Sequence, residues 1–227
     1  MSLHILFDLD GTLLNFREAE YDALASLFNH FSMDSAEENF QLFSQINQSQ
    51  WDLFEDNLVT LTQLRFNRFK QFLEVLGSDL DPSLVATYYE NQLAQGAHLI
   101  TEAHELMGQL HGKYSLYAAT NGIEHIQTQR LAKSGLDHYF EKVFISEAMG
   151  VSKPDTAYFN HVLSAIEAEP SDVIMVGDSL NSDIYGGNQS NLTTVWYNPH
   201  NHELPIDIDR RPNYQIQHLM QLISILP

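Results

Sequence analysis

Four short clusters hold the residues able to do chemistry in this chain. They are Asp8-Leu9-Asp10-Gly11-Thr12, Thr120-Asn121-Gly122, Ser152-Lys153-Pro154-Asp155, and Gly177-Asp178-Ser179 with Asp183 five residues after Asp178. Their side chains are carboxylates that can attack or ligate, a hydroxyl that can donate, and an ammonium that can neutralise charge. Singly, each cluster has a plain structural reading. Asp10-Gly11 is a common turn, and Thr120-Asn121-Gly122 can simply cap a following helix. A Lys before Pro is ordinarily a solvated loop residue, and Gly177-Asp178 can be a turn ahead of a helix start at Ser179 or Asp183.

The elements around the clusters argue for more. Leu3 to Leu9 is a short apolar run that reads as a buried strand, and Ser115-Leu116-Tyr117-Ala118-Ala119, Lys142 to Ile145, Val173 to Val176 and Thr193 to Tyr197 read the same way. Helical patterns separate them, at Glu102 to Leu110, Ile123 to Ser134 with Gly135 as its stop, Thr156 to Ile166, Asn181 to Gln189 and Gln215 to Ile225. Strands alternating with helices of this length predict a doubly wound α/β core with a parallel sheet. Between the first strand and the rest, residues 15–96 lack strand-like runs. Leu64, Phe69, Phe72, Leu73 and Leu76 show helical spacing, and breaks fall at Ser32-Met33-Asp34, Gly77-Ser78 and Asp81-Pro82. This predicts an inserted module of four or five helices, with the core formed by residues 1–14 and 97–227. Ligands of open parallel sheets bind at the carboxyl ends of the strands. Each polar cluster follows a predicted strand, so all converge on one edge.

Composition narrows the classes. The chain has 227 residues, 44% of them hydrophobic and 18% charged, the balance of a packed globular protein. Asp and Glu number 30 against 11 Lys and Arg, a formal charge of −19 that repels nucleic acid polymers and anionic membranes. A small anionic substrate remains compatible if a metal ion or a few cations make one pocket locally positive. With no cysteine, disulfides, thiolate metal sites and cysteine nucleophiles are excluded. Ile5-Leu6-Phe7 is interrupted at once by Asp8, which is no signal peptide, and no apolar stretch approaches the ~20 residues of a membrane span. A cytoplasmic protein is the expectation.

Rival motifs fail. An EF-hand loop beginning at Asp8 needs Gly at its sixth position, where Leu13 stands. No Gly-x-x-x-x-Gly-Lys or Gly-x-Gly-x-x-Gly occurs. The 11 histidines form no zinc-like cluster, and His200-Asn201-His202 reads as surface loop.

Taken together, Asp8-x-Asp10-Gly11-Thr12, Thr120, Lys153, and Gly177-Asp178 with Asp183 resemble the four motifs of the haloacid dehalogenase (HAD) superfamily. The helical insertion after the first motif resembles the small C1 cap of that superfamily. The segments Val143-Phe144-Ile145-Ser146-Glu147 and Met149-Gly150-Val151-Ser152-Lys153-Pro154 look most like those of intracellular pyrimidine 5′-nucleotidases.

The resemblance implies a phosphohydrolase in which Asp8 attacks phosphorus to form an aspartyl-phosphate. Mg²⁺, a hard oxygen-seeking cation, would reconcile carboxylates with an anionic phosphate. Its implied ligands are Asp8, Asp178 and the Asp10 main-chain carbonyl, with Asp183 supporting the metal site or orienting Lys153. Asp10 then serves as general acid and base. Thr120, with the backbone N–H groups of Asn121 and Gly122 at a helix start, and Lys153 would bind the phosphate.

The implied substrate is a small phosphorylated metabolite, foremost a nucleoside 5′-monophosphate. Asn47, Trp51 and Arg68 in the cap are the candidates to hold the nucleoside. Trp51 offers a stacking face, although a Trp in a small helical module is often core and an Arg often a solvated helix face. Carbon–halogen cleavage is disfavoured by Asp10, and phosphonate cleavage lacks a suitable cap lysine, since Lys70 stands alone there. A sugar phosphomutase shares all four motifs and stays open. A catalytically inactive binding module would be expected to lack a motif residue, and none is missing.

Overall fold

The computed structural model describes residues 3–204 and 206–227. Among these, six strands form one parallel sheet in the order β3-β2-β1-β4-β5-β6. They are β1 His4–Phe7, β2 Ser115–Thr120, β3 Lys142–Ile145, β4 Val173–Gly177, β5 Thr193–Tyr197 and β6 Tyr214–Ile216. β1 lies at the centre, with Phe7 level with Ala118 of β2 and Val176 of β4. The residues that follow these three strands therefore start from adjacent positions on one sheet edge.

The sheet is covered on both faces, and period-two alternation decides which side chain goes where. Ile5, Phe7, Leu116, Ala118, Ile174 and Val176 pack with Leu106, Met107 and Leu110 of α5 (Ala103–Leu110) and Leu131 of α6 (Glu124–Ser134). Leu6, Tyr117, Ala119, Val173 and Met175 face the other way, onto Tyr158, Phe159, Val162 and Leu163 of α8 (Thr156–Ile166). Gly135, with φ 70°, ends α6 in the left-handed conformation. The short α7 (Ser146–Met149) follows β3 directly.

The chain divides into two compact units, one formed by residues 1–16 and 97–227, the other by 17–96. Among the described residues the second unit is built from α1 (Phe16–His30), α2 (Glu37–Glu55), α3 (Leu61–Leu76) and α4 (Pro82–Leu93). Thr60 caps α3 through a reciprocal box with Gln63, and Gly77 terminates it at φ 62°. Asp81 caps α4 with Pro82 in its first turn. Its interior is aromatic, with Phe43 in ring contact with Phe69, Phe72 and Tyr89.

Two elements depart from the sequence expectation. The C-terminal stretch predicted as a helix over Gln215 to Ile225 is β6 followed by a 3₁₀ turn, Leu219–Ser224. Leu219 and Leu222 are buried at a spacing of three, which a 3₁₀ turn satisfies as well as an α-helix. The helix expected over Asn181 to Gln189 begins as a wide π-helical turn, Leu180–Tyr185, and becomes α9 only at Gly186–Gln189.

Candidate active site

Asp8 follows β1 directly, and its N–H still bonds to the Val176 carbonyl at 2.9 Å, so the sheet ladder itself sets its position. Lys153 reaches it from the loop before α8. The Lys153 ammonium is 1% exposed and donates to Asp8 Oδ1 at 2.8 Å, to Asp183 Oδ1 at 2.7 Å and to the Ala119 carbonyl at 2.6 Å. All three ammonium protons are thus engaged. Burial would lower its pKa, but the carboxylates of Asp183 and Asp8 override that and hold the charge firmly.

Asp8, Asp178 and Asp183 each offer a carboxylate oxygen, all within 4.8 Å of one another. Local sequence makes this approach possible. Gly11, at φ +85°, leaves room for the Asp178 carboxylate, and Gly177 leaves room for Asp183; a Cβ at either position would collide with it. The wide turn after β4 lets Ser179 N–H donate to Asp183 Oδ2 at 3.1 Å while the other oxygen holds Lys153. Thr12 donates to Asp178 Oδ1 at 3.3 Å.

Three carboxylates around one ammonium leave excess negative charge in a buried space. Burial pushes the Asp178 carboxyl up to about 7, aided by Asp183. Burial raises Asp8 well above its ordinary range, partly opposed by Lys153 and reinforced by Asp183 and Asp178. This donor set of hard oxygens with uncompensated charge fits Mg²⁺.

A sign-definite expectation follows. A carboxyl with a raised folded-state pKa holds a proton that the unfolded chain releases near about pH 4. Metal-free protein should therefore lose stability as pH rises toward the Asp178 value of about 7. Mg²⁺ binds the ionised carboxylates, so the rise in Tm on adding Mg²⁺ should be larger at about pH 8 than at about pH 5. Thermal melts with and without Mg²⁺ at both pH values measure this. An equal or smaller rise at the higher pH contradicts it. Glu20 of the helical unit is also raised by burial, but the Mg²⁺ difference cancels its contribution.

Asp10 and Thr120 meet through α6. Gln127 Nε2 donates to Asp10 Oδ2 at 2.8 Å and to Thr120 Oγ1 at 2.9 Å, and Arg130 Nη1 donates to Asp10 Oδ1. The Gly122 N–H also donates to Thr120 Oγ1, at 3.0 Å. With both lone pairs of that oxygen accepting, its own proton points elsewhere, as a donor to an incoming anion requires.

Of the two backbone N–H groups expected to bind phosphate at the start of α6, that of Gly122 has a partner within the loop. The Gly122 N–H is bonded to Thr120, and the first N–H of α6, Glu124, donates to the Glu147 carboxylate at 2.7 Å. The Asn121 side chain joins the two loops: Nδ2 donates to the Lys153 carbonyl at 2.7 Å and Oδ1 accepts from Lys153 N–H at 2.9 Å.

Within the helical unit, Asn47 and Arg68, the residues expected to hold a nucleoside, bond to partners of the same unit. They are 3% and 1% exposed. Asn47 Nδ2 donates to Glu20 at 2.8 Å and Oδ1 accepts from Arg68 Nη1 at 3.1 Å, while Arg68 Nη2 pairs with Glu90 at 3.2 Å. A buried charge needs such a partner, and Glu90 supplies it to Arg68. Trp51 is half-buried, edge-on to Phe54 at 5.7 Å.

Gln127 and Arg130 were not singled out from sequence. They sit on the buried face of α6 with Ile126 and Leu131, and two polar residues at inward helical positions are the signal that marks them.

The haloacid dehalogenase-like hydrolase family matches residues 5–197. The pyrimidine 5′-nucleotidase PynA of Streptococcus pneumoniae is 37% identical over 98% of this chain and 94% of its own length. The pyrimidine 5′-nucleotidase YjjG of Escherichia coli is 32% identical over 98% and 96%. The structure of the HAD-hydrolase YfnB from Bacillus subtilis bound to magnesium superposes with a TM-score of 0.93 at 34% identity, covering 99% of this chain and 98% of that one. The chain belongs to the haloacid dehalogenase-like hydrolases, as a phosphoric monoester hydrolase.

Proposed function

We propose that this protein is a Mg²⁺-dependent phosphomonoesterase that works through an aspartyl-phosphate on Asp8, and that its substrate is a nucleoside 5′-monophosphate. The buried grouping of Asp8, Asp178 and Asp183 around Lys153 carries the mechanistic half. The substrate half is supported by the two similar pyrimidine 5′-nucleotidases. A small metabolite of the cytoplasm fits this reading. No helix among the described residues is long and apolar enough to cross a membrane.

Asp8 attacks phosphorus in line with the ester oxygen, its Oδ1 held by Lys153. Asp8, Asp178 and the Asp10 carbonyl would hold Mg²⁺, which when bound supplies positive charge to the phosphoryl oxygens. Lys153 balances charge on the nucleophile and Asp183 keeps the ammonium in place. Thr120 donates its hydroxyl proton to a phosphoryl oxygen. Asp10 protonates the leaving alkoxide, then takes a proton from the water that opens the aspartyl-phosphate.

Nucleoside preference belongs to the helical unit in this reading, with Trp51 as the stacking face. A panel of phosphorylated metabolites tests the substrate class, and nucleoside 5′-monophosphates should give the highest kcat/KM. Trp51→Ala should raise KM for a pyrimidine nucleotide several-fold and leave p-nitrophenyl phosphate turnover nearly unchanged. A proportional loss on both substrates would take Trp51 out of the stacking role, and preference for a sugar phosphate would contradict the nucleotide assignment.

A further inference from the structure

The two α6 residues at Asp10 form more than a pair of contacts. Arg130 is fully buried and Gln127 is 1% exposed, so neither is a solvated helix residue. Arg130 Nη1 also donates to Gln127 Oε1 at 3.3 Å. That bond sets the amide, because an oxygen turned toward Arg130 obliges Nε2 to face Asp10 and Thr120. The Phe16 ring lies 5.9 Å from the Arg130 guanidinium. Gly122 completes the arrangement: a Cβ there would collide with the Gln127 amide, so the glycine makes space for it.

Each Asp10 oxygen therefore has its own donor, Oδ1 from Arg130 and Oδ2 from Gln127. The same Gln127 nitrogen bonds to Thr120. Without these partners a carboxylate after the β1 turn would turn about χ1 and χ2, since its side chain is 30% exposed. A general acid must stay within hydrogen-bond reach of the leaving oxygen to be effective.

We infer that Gln127 and Arg130 are positioning residues for Asp10: they hold both carboxylate oxygens and tie the proton donor to Thr120, so transfer to the leaving group depends on α6. This rests on the reading of Asp10 as the general acid. No proton passes through either residue. The proton, carried on an Asp10 lone pair that these donors leave free, moves to the leaving oxygen as the ester P–O bond breaks and the Asp8–phosphorus bond forms.

A positioning role has a signature that a structural one lacks. Poor leaving groups need the acid, whereas an activated aryloxide departs without it. Single-turnover rates should be measured on p-nitrophenyl phosphate, phenyl phosphate and an alkyl phosphate for the parent, Gln127→Leu, Arg130→Met, Arg130→Lys and Asp10→Asn. Gln127→Leu and Arg130→Met should each lose at least about tenfold more on the alkyl ester than on p-nitrophenyl phosphate. Arg130→Lys should recover part of the alkyl rate, and Asp10→Asn should show the same selectivity more strongly. If Arg130→Met fails to fold, as judged by circular dichroism, Gln127→Leu decides alone. Even losses across the esters in Gln127→Leu, or none, beside a selective Asp10→Asn, overturn the inference and leave Asp10 as the acid. A non-selective Asp10→Asn overturns both.

Discussion

Asp8→Asn is expected to lower turnover by more than about 10³-fold while leaving the protein folded. The amide keeps the shape of the side chain and can still accept from Lys153, but it has no charge with which to attack phosphorus. The fold should survive because the parent carboxylate is itself a burden there. Burial, Asp183 and Asp178 all disfavour its ionised form, and only Lys153 favours it. Replacing it by a neutral group removes one like charge, and Lys153 retains Asp183 at 2.7 Å. The metal-free variant should accordingly melt no lower than the parent. Phosphate-release assays beside thermal melts check both statements. A folded variant with substantial activity would take Asp8 out of its role. A variant that unfolds would show that the Asp8 charge is needed by the Lys153 network.

The second large effect concerns the metal. With Asp8, Asp178 and Asp183 clustered and the chain at −19, a phosphate dianion meets repulsion that a fully engaged Lys153 cannot offset. Exhaustive chelation with EDTA should abolish turnover, and Mg²⁺ should restore it. Ca²⁺ should inhibit in competition with Mg²⁺, because its longer and looser coordination disturbs the in-line geometry. Isothermal titration of Mg²⁺ into metal-free protein should show one site, and Asp178→Asn should weaken it. Full activity after chelation would remove the ion from the reaction.

Much of this was legible in the sequence. Buried parallel strands are short apolar runs, and a polar residue directly after such a run has little choice but to sit at the carboxyl edge. Asp8 after Phe7, Thr120 at the end of β2 and Asp178 after Gly177 obey that rule. What sequence could not display were partnerships made across the chain. Asn47 and Arg68 read as free polar groups because their partners, Glu20 and Glu90, lie 27 and 22 residues away. The bonds of Gln127 and Arg130 to Asp10 span 117 and 120 residues. Gly122 read as a helix start, whereas its lack of a side chain answers to the Gln127 amide. The C-terminal segment misled for a different reason: apolar residues three apart fit both helix types, and the pairing of Tyr214–Ile216 with β5 is a tertiary choice.

The claim on which the account stands is that phosphorus becomes bonded to Asp8. A pre-steady-state reaction with Mg²⁺ and p-nitrophenyl phosphate in excess over enzyme, quenched in acid during the first turnover and reduced with borohydride, tests it directly. An aspartyl-phosphate is reduced to the alcohol, so peptide mass spectrometry should find homoserine at position 8, absent without substrate and absent when Asp8→Asn is used. Unmodified Asp8 at a time when p-nitrophenol has been released in amounts matching the enzyme, or reduction at a different carboxylate, would contradict it.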